Sequence, residues 1–398
     1  MTTEQRHIAH FDLDAFFVAV ECLKNSRLKG KPLLVGGSGD RGVVAACSYE
    51  ARRFGIHSAM PMKLARRLCP EAIVIRGDME SYGKYSRLVT DIMQDSVPLF
   101  EKASIDEFYV DLSGMDKFFG CSRFAGELKS KVLKESGLIV SYGLASNKLI
   151  SKVATDEIKP NGQLEIAFGG EKGFLAPLSI SKLPGIGRET AYKLIRRGVE
   201  TIRTLSEIPV EMLETMMGAT GVELWRKANG VDESPVIPYR EQKSISTERT
   251  FETDTIHMGR LHAELVRMTE AVGFDLRKQD KLTGCMTVKL RYSNFDTVIR
   301  QKTIDYTNAD HILLQTAQGL FEKLYDRRML IRLLGVRLTR LVPGNYQIKL
   351  YEDTQETIRL YQSIDSIKRQ FGEGLVMRAS GVRGKAGRGL GANQGHIQ

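Results

Sequence analysis

The sequence predicts an α+β protein, and three observations carry that reading. Two apolar stretches run into acids, residues 8–11 into Asp12 and Ile105 into Asp106 and Glu107. Helical stretches interrupt the strands of the N-terminal half, as in a sheet with helices on one face. Residues 244–342 place strands and helices in the order β-α-β-β-α-β, as a ferredoxin-like or related two-helix sheet does. At 398 residues the chain is too long for one core and is expected to divide into about three to four domains.

Residues 6–17 read as a strand running into a turn, and 17–29 as a helix with Phe17, Ala19, Val20 and Leu23 on its apolar face. Strands at 32–35 and 43–47 flank a glycine-rich turn, and helices near 49–54 and 62–68 complete a compact insertion over 18–77. A helix at 82–97 precedes a strand at 100–105, which turns at Asp106 and Glu107 into a second strand at 108–112. A helix at 118–135, a strand at 139–145 and a helix at 148–157 follow. Only short helices are expected from about 170 to 235, and the polar, proline-containing stretch after them reads as a linker. Strands at 244–251, 286–292, 297–304 and 333–341 then alternate with helices at 257–278 and 309–324. A helix near 357–371 comes last, and the Gly-rich, basic stretch 381–398 has the composition of a disordered tail.

Composition excludes several classes. Hydrophobic residues at 42% and charged residues at 27% fit a globular chain, and no run of about eighteen apolar residues offers a membrane span. The acidic Glu4 and the lack of a long apolar core near the start argue against a secretory signal. Cys22, Cys47, Cys69, Cys121 and Cys285 form no C-x-x-C pair, which fits a reducing cytoplasm and speaks against disulfides and zinc. A net charge of +10 raises the expectation of a polyanionic partner without establishing one.

The acids carry the sharpest chemistry. Two strands side by side bring Asp12, Asp106 and Glu107 within reach of one another. Clustered carboxylates repel, and divalent metal relieves the repulsion most directly. Oxygen donors suit Mg²⁺, and two such ions about 4 Å apart clamp an in-line phosphoryl transfer. Leu13 offers a backbone carbonyl as a further hard ligand, while Asp14 shares the strand face of Asp12 and is either a ligand as well or a structural acid accepting turn N–H groups. The plain alternative is acids that are solvated or paired with Lys or Arg.

Tyr49 and Arg52 are three apart on a helix, where phenol and guanidinium together suit a polyphosphate; an exposed arginine on an ordinary helix competes with that. Lys152, one turn after Lys148, is a similar phosphate candidate. Residues 36–42 lack a following GK[ST] and read as a hairpin turn. Phe16 and Phe17 fit either a core or, beside a nucleotide, a block to the ribose 2′-hydroxyl. The Pro-Gly-x-Gly turn with Gly185 and Gly187 reads as a helix-hairpin-helix that holds a DNA phosphate, or as a mere helix connection. Further on, Thr287, Lys289, Arg291 and Ser293 alternate with Met286, Val288, Leu290 and Tyr292, and Arg300, Lys302, Arg332 and Arg337 extend the basic theme. This excess tracks a phosphate backbone if it lies on one sheet face, and is otherwise a solvated surface.

HFDLDAFFVAVE at 10–21, VVAACSYEARRFGIHSAMP at 43–61, SIDEFYVDLSG at 104–114, SNKLISKVATDEIKPNG at 146–162 and LPGIGRETAYKL at 183–194 occur in that order. Together they resemble Y-family DNA polymerases, closest to the DinB branch of bacterial DNA polymerase IV, over about residues 6–375. The resemblance implies a right-hand polymerase. Its palm would be 1–18 and 78–168, its small fingers 19–77, its helical thumb with the helix-hairpin-helix 169–235 and its linker 236–241. A β-α-β-β-α-β little finger would follow at 242–345, with a C-terminal tail at 346–398.

The implied activity is template-directed, Mg²⁺-dependent, low-fidelity translesion DNA synthesis without proofreading. Two Mg²⁺ ions would be held by Asp12, Asp106, Glu107 and the Leu13 carbonyl. Tyr49, Arg52 and Lys152 match positions that hold the incoming triphosphate, Phe17 the steric gate and Phe16 its aromatic neighbour. Ala46 departs from the pattern, since relatives often carry Ser or Thr there. Implied partners are dNTPs and primer-template DNA, the latter at Gly185, Gly187, Lys289, Arg291, Arg300, Lys302, Arg332 and Arg337. Gln347, Leu350 and Tyr351 look like a sliding-clamp peptide, against an ordinary amphipathic segment. A cytoplasmic monomer without membrane contact is expected.

Overall fold

The structure is a computed structural model and describes residues 6–37, 39–115, 120–238, 241–344, 355–372 and 374–381. The chain divides into two units, Met1–Arg240 and Glu241–Gln398. The first begins with β1 (Ile8–Leu13), α1 (Phe16–Lys24), β2 (Leu33–Gly36), β3 (Val44–Cys47), α2 (Tyr49–Arg52), α3 (Met62–Leu68) and β4 (Ile73–Ile75). It continues with α4 (Met79–Ser96), β5 (Phe100–Lys102), β6 (Glu107–Asp111), α5 (Cys121–Ser136), β7 (Val140–Ala145), α6 (Lys148–Glu157) and β8 (Gln163–Glu165). Five short helices complete it: α7 (Glu171–Leu175), α8 (Arg188–Ile195), α9 (Ile202–Glu207), α10 (Val210–Met217) and α11 (Ala219–Ala228).

A five-stranded sheet, ordered β5-β6-β1-β7-β8, sets the geometry of this unit. Its middle strand β1 is buried on both faces. Period-2 alternation sends Ala9, Phe11 and Leu13 into a core with Val89, Ile92, Leu128 and Val132 of α4 and α5. His10 and Asp12 point the other way, toward α6, whose Thr155 hydroxyl lies 2.9 Å from His10 Nδ1. Helices therefore cover both faces, not one as expected. Gly143 on β7 permits this, because a Cβ there would stand 2.3 Å from the Ser151 carbonyl oxygen of α6.

The strand expected over 100–105 stops at Lys102, and Asp106 lies in the turn before β6 rather than at a strand end. Ser104 Oγ accepts from the Asp106 and Glu107 amides at 3.2 and 3.0 Å, which shapes that turn. A separate three-stranded sheet, β3-β2-β4, lies within 33–75. Neither β4 nor β8 was expected, since three residues are too few to show a period. The short helices and their connections bury Leu183, Leu194, Ile202, Leu205, Leu213 and Leu224 in a core shared with Leu149, Ile150 and Val153 of α6.

The second unit comprises β9 (Ser244–Thr255), α12 (Met258–Lys278), β10 (Lys281–Tyr292), β11 (Thr297–Thr307), α13 (Asp310–Leu324), β12 (Ile331–Pro343) and α14 (Gln355–Phe371). Its antiparallel sheet has the order β11-β10-β12-β9. Each of α12 and α13 thus links two strands that run parallel with one strand between them. Met286, Val288, Leu290 and Tyr292 pack with Leu334, Val336 and Leu338 and the helices' Leu265, Leu313 and Phe321.

Candidate active site

Antiparallel pairing of β1 with β6 sets Asp12 directly opposite Glu107. The Leu13 amide donates to the Asp106 carbonyl at 3.1 Å, so the Ser104–Asp106 turn is held against the end of β1. One donor atom from each of His10, Asp12 and Glu107 lies within 4.8 Å of the others. The Asp106 carboxylate is outside that cluster and accepts from Ser104 Oγ at 2.6 Å. Two of the three expected acids are thus brought together, and the third borders them.

Burial decides the electrostatics. Asp12, 5% exposed, has its carboxyl pushed up to about 7 by burial; Lys159 opposes the rise, and Glu107 and Asp106 add to it. Lys159 Nζ sits 2.5 Å from Asp12, and Lys152 Nζ 2.7 Å from Glu107. The facing His10 imidazole and then Lys152 hold Glu107 below the usual carboxylate range. His10 is kept neutral by burial. The Thr155 hydroxyl, within 3.0 Å of the His10 and Ser151 carbonyls, also meets His10 Nδ1 at 2.9 Å. His10 Nε2 faces Glu107 at 3.9 Å and has no hydrogen-bond partner among the described residues.

A buried and a partly buried acid, an orphaned ring nitrogen and flexible lysines opposite them fit a divalent cation. His10 and Lys159 were missed in the sequence. Alternation along β1 puts His10 on the face of Asp12 and could have found it, whereas no local signal brings Lys159 to Asp12.

Tyr49 and Arg52 share the face expected of them, with the Arg52 guanidinium 4.5 Å over the Tyr49 ring. Ser48 caps this short helix, accepting from the Ala51 amide at 3.3 Å. Phe16, 2% exposed, belongs to the core. Phe17 is half-buried and stacks on Tyr82 with ring centroids 4.3 Å apart. Ala15 precedes both with φ 45, a left-handed conformation that costs a non-glycine residue about 1–2 kcal/mol.

Three family models match the chain. They are the impB/mucB/samB family over residues 11–156, the DNA polymerase-iota thumb domain over 181–232 and the impB/mucB/samB family C-terminal domain over 242–350. A solved Y-family DNA polymerase chimera of Dbh and Dpo4 superposes with a TM-score of 0.76 at 27% identity, covering 85% of this chain and 100% of that one. DNA polymerase IV of Dehalococcoides mccartyi is 39% identical over 375 residues, 93% of this chain and 96% of that protein. The chain belongs to the Y family of DNA polymerases, in its DNA polymerase IV branch. Within that branch, the Desulfatibacillum aliphaticivorans protein is 36% identical over 94% of this chain and 96% of its own length. The Listeria innocua protein is 36% identical over 86% and 97% respectively.

Against the Y-family frame, the basic residues of the second unit do not share one sheet face. Lys289, Arg291 and Arg337 lie on the face away from the helices, Arg337 opposite Thr287. Register sets Arg300 opposite Val288 and Lys302 opposite Met286, and so on the other face, at the sheet edge. Lys289 is also paired with Glu248 at 2.8 Å, and the Arg332 guanidinium lies 4.6 Å over the Phe295 ring. In the hairpin, Gly185 holds φ +102 and Gly187 caps α8. The element before it is a single 3-10 turn, Ile180–Lys182, rather than an α-helix. Gln347, Leu350 and Tyr351 lie outside the described residues. Among the described residues no helix is long and apolar enough to cross a membrane.

Proposed function

We infer that this chain is a template-directed DNA polymerase of the translesion type, adding deoxynucleotides to a primer 3′ end without proofreading. The observation that carries the reading is the apposition of buried Asp12 with Glu107, faced by Lys159 and Lys152, at the end of β1 and the start of β6. The family uses divalent metal, and Asp12, Asp106 and Glu107, with the Leu13 carbonyl, would hold two Mg²⁺ ions. Such ions acidify the primer 3′-hydroxyl and offset the charge of the triphosphate.

The protein's own groups do the rest. The primer oxygen displaces pyrophosphate from the α-phosphorus of a dNTP that Lys152, Lys159, Tyr49 and Arg52 bind through its phosphates. Phe17 excludes a ribose 2′-hydroxyl, with Phe16 as the packed support behind it. We assign the palm to 1–18 and 78–168, the fingers to 19–77, the thumb to 169–235, the linker to 236–241 and the little finger to 242–345. DNA backbone would be met at Gly185 and Gly187 and on the open sheet face at Lys289, Arg291 and Arg337, with Arg300, Lys302 and Arg332 at its rim. A cytoplasmic monomer that meets a sliding clamp through Gln347, Leu350 and Tyr351 completes the reading.

Extension of a labelled primer with Mg²⁺ and four dNTPs, run beside Asp106→Ala, tests it. Extension by the parent alone supports polymerase and site together. Failure of both proteins with DNA binding intact overturns the activity, and primer shortening without dNTPs would make the site a nuclease. Substitution of Gln347 and Leu350 by Ala should abolish stimulation by an added clamp.

A further inference from the structure

We propose that Asp14 is a positioning residue for nucleotide addition, whose buried carboxylate fixes the loop carrying Lys159 and holds Tyr49 in its resting place. Asp14 is 6% exposed, two residues beyond Asp12. Its Oδ2 accepts from the Asn161 backbone amide at 2.7 Å. Ser141 Oγ lies 3.0 and 2.9 Å from its two oxygens, and the Tyr49 hydroxyl donates to Oδ1 at 3.3 Å. Ser141 stands opposite Asp12 in the pairing of β1 with β7, so the same ladder that sets Asp12 also sets the serine that orients Asp14. One side chain thereby ties the end of β1, strand β7, the loop after α6 and helix α2 together. All these donors are neutral.

Lys159, two residues before Asn161, reaches Asp12 from that loop. A cavity of about 510 Å³, lined by Asp14, Tyr49, Pro160 and Asn161 among others, opens beside these groups. Packing therefore does not wedge Tyr49 or the 160–161 backbone on that side; the hydrogen bonds to Asp14 restrain them, beside those from Lys129 Nζ to the Asn161 carbonyl at 2.7 Å and from the Gly162 amide to Ser141 Oγ at 3.2 Å. A phenol has one proton, so Tyr49 gives it either to Asp14 or to an arriving phosphate. Its bond is the longest of the set and is the one released when nucleotide enters; the Asn161 bond stays and keeps Lys159 aimed. This proposal rests on the reading of Lys159 as a triphosphate ligand.

Asp14→Asn keeps the size, but its single carbonyl oxygen serves Asn161 or Tyr49, not both. In single-nucleotide insertion it should raise KM for dNTP about tenfold with kcat within about threefold. Ser141→Ala, which removes the orienting hydroxyl, should shift KM in the same direction by less. Lys159→Ala should raise KM, and the double variant with Asp14→Asn should be no worse than Lys159→Ala alone. If Lys159→Ala raises KM while Asp14→Asn leaves it unchanged or adds to it independently, the positioning role fails alone. A KM unmoved by Lys159→Ala overturns the triphosphate reading and the proposal with it. Thermal melting and DNA affinity of every variant separate these outcomes from loss of fold; if Asp14→Asn does not fold, Ser141→Ala carries the same cycle.

Discussion

Each unit of the molecule buries a cluster of acids and bases, and the two are completed in opposite ways. In the second unit Arg277, 4% exposed, donates to Asp310 at 2.7 Å, to Asp365 at 2.7 and 3.0 Å, and to the Asn308 carbonyl at 2.9 Å. A planar guanidinium fork saturates its partners, and the cluster pins α14 to α12 and α13. In the first unit the cations are lysine ammonium groups on long stems, Asp12 is left with its carboxyl near 7, and His10 Nε2 has no hydrogen-bond partner among the described residues. A rigid fork closes a cluster; point charges on flexible stems leave one open to exchange for metal and phosphate.

That contrast makes the two clusters respond oppositely to losing a charge. Asp12→Asn should cut primer extension by about 10³-fold or more, several kcal/mol of lost charge stabilisation, while raising the metal-free urea midpoint. A lowered midpoint would break the comparison. Arg277→Ala should cost the second unit about 3–5 kcal/mol in denaturant unfolding, because two buried aspartates lose their partner. Single-nucleotide kcat on saturating DNA should hold, and a fall would make that cluster functional too.

Phe17→Ala removes packing rather than charge, and should lower discrimination against ribonucleotides by about 10²-fold in paired dNTP and rNTP insertion assays. Unchanged sugar selectivity would take Phe17 out of the gate. The smallest effect is the pH dependence of metal-free melting. With a folded value near 7 against 3.8 unfolded, Asp12 makes the native state bind more protons between those values. Stability should therefore fall as pH rises from about 4 to about 7 and level off above. Asp12→Asn should flatten that slope, and added Mg²⁺ should raise the melting temperature most above pH 7. A parent profile already flat between 4 and 7 would count against the burial argument.

Legibility of the sequence followed how local each feature was. The bounds of α3 and α6 agree with expectation, α6 helped by Asn147, whose side chain accepts from the Ile150 amide at its start. β1 was readable because an apolar run stops at an acid. β4 and β8 were not, being short strands that exist only because a neighbour offers a ladder. The placement of Arg300 and Lys302 was also hidden, since face depends on register and register belongs to the pair of strands.

What the sequence determined by itself is therefore the inventory and the local frame: which residues are acids at the end of β1, which helices form, which aromatics follow. Tertiary structure alone decided which cation meets which acid, that Asp106 borders the cluster while His10 enters it, and that α6 crosses the catalytic face. Lys159 and Asp12 are far apart in sequence, and their charges come together through chain closure and burial, neither of which leaves a periodic mark on the chain.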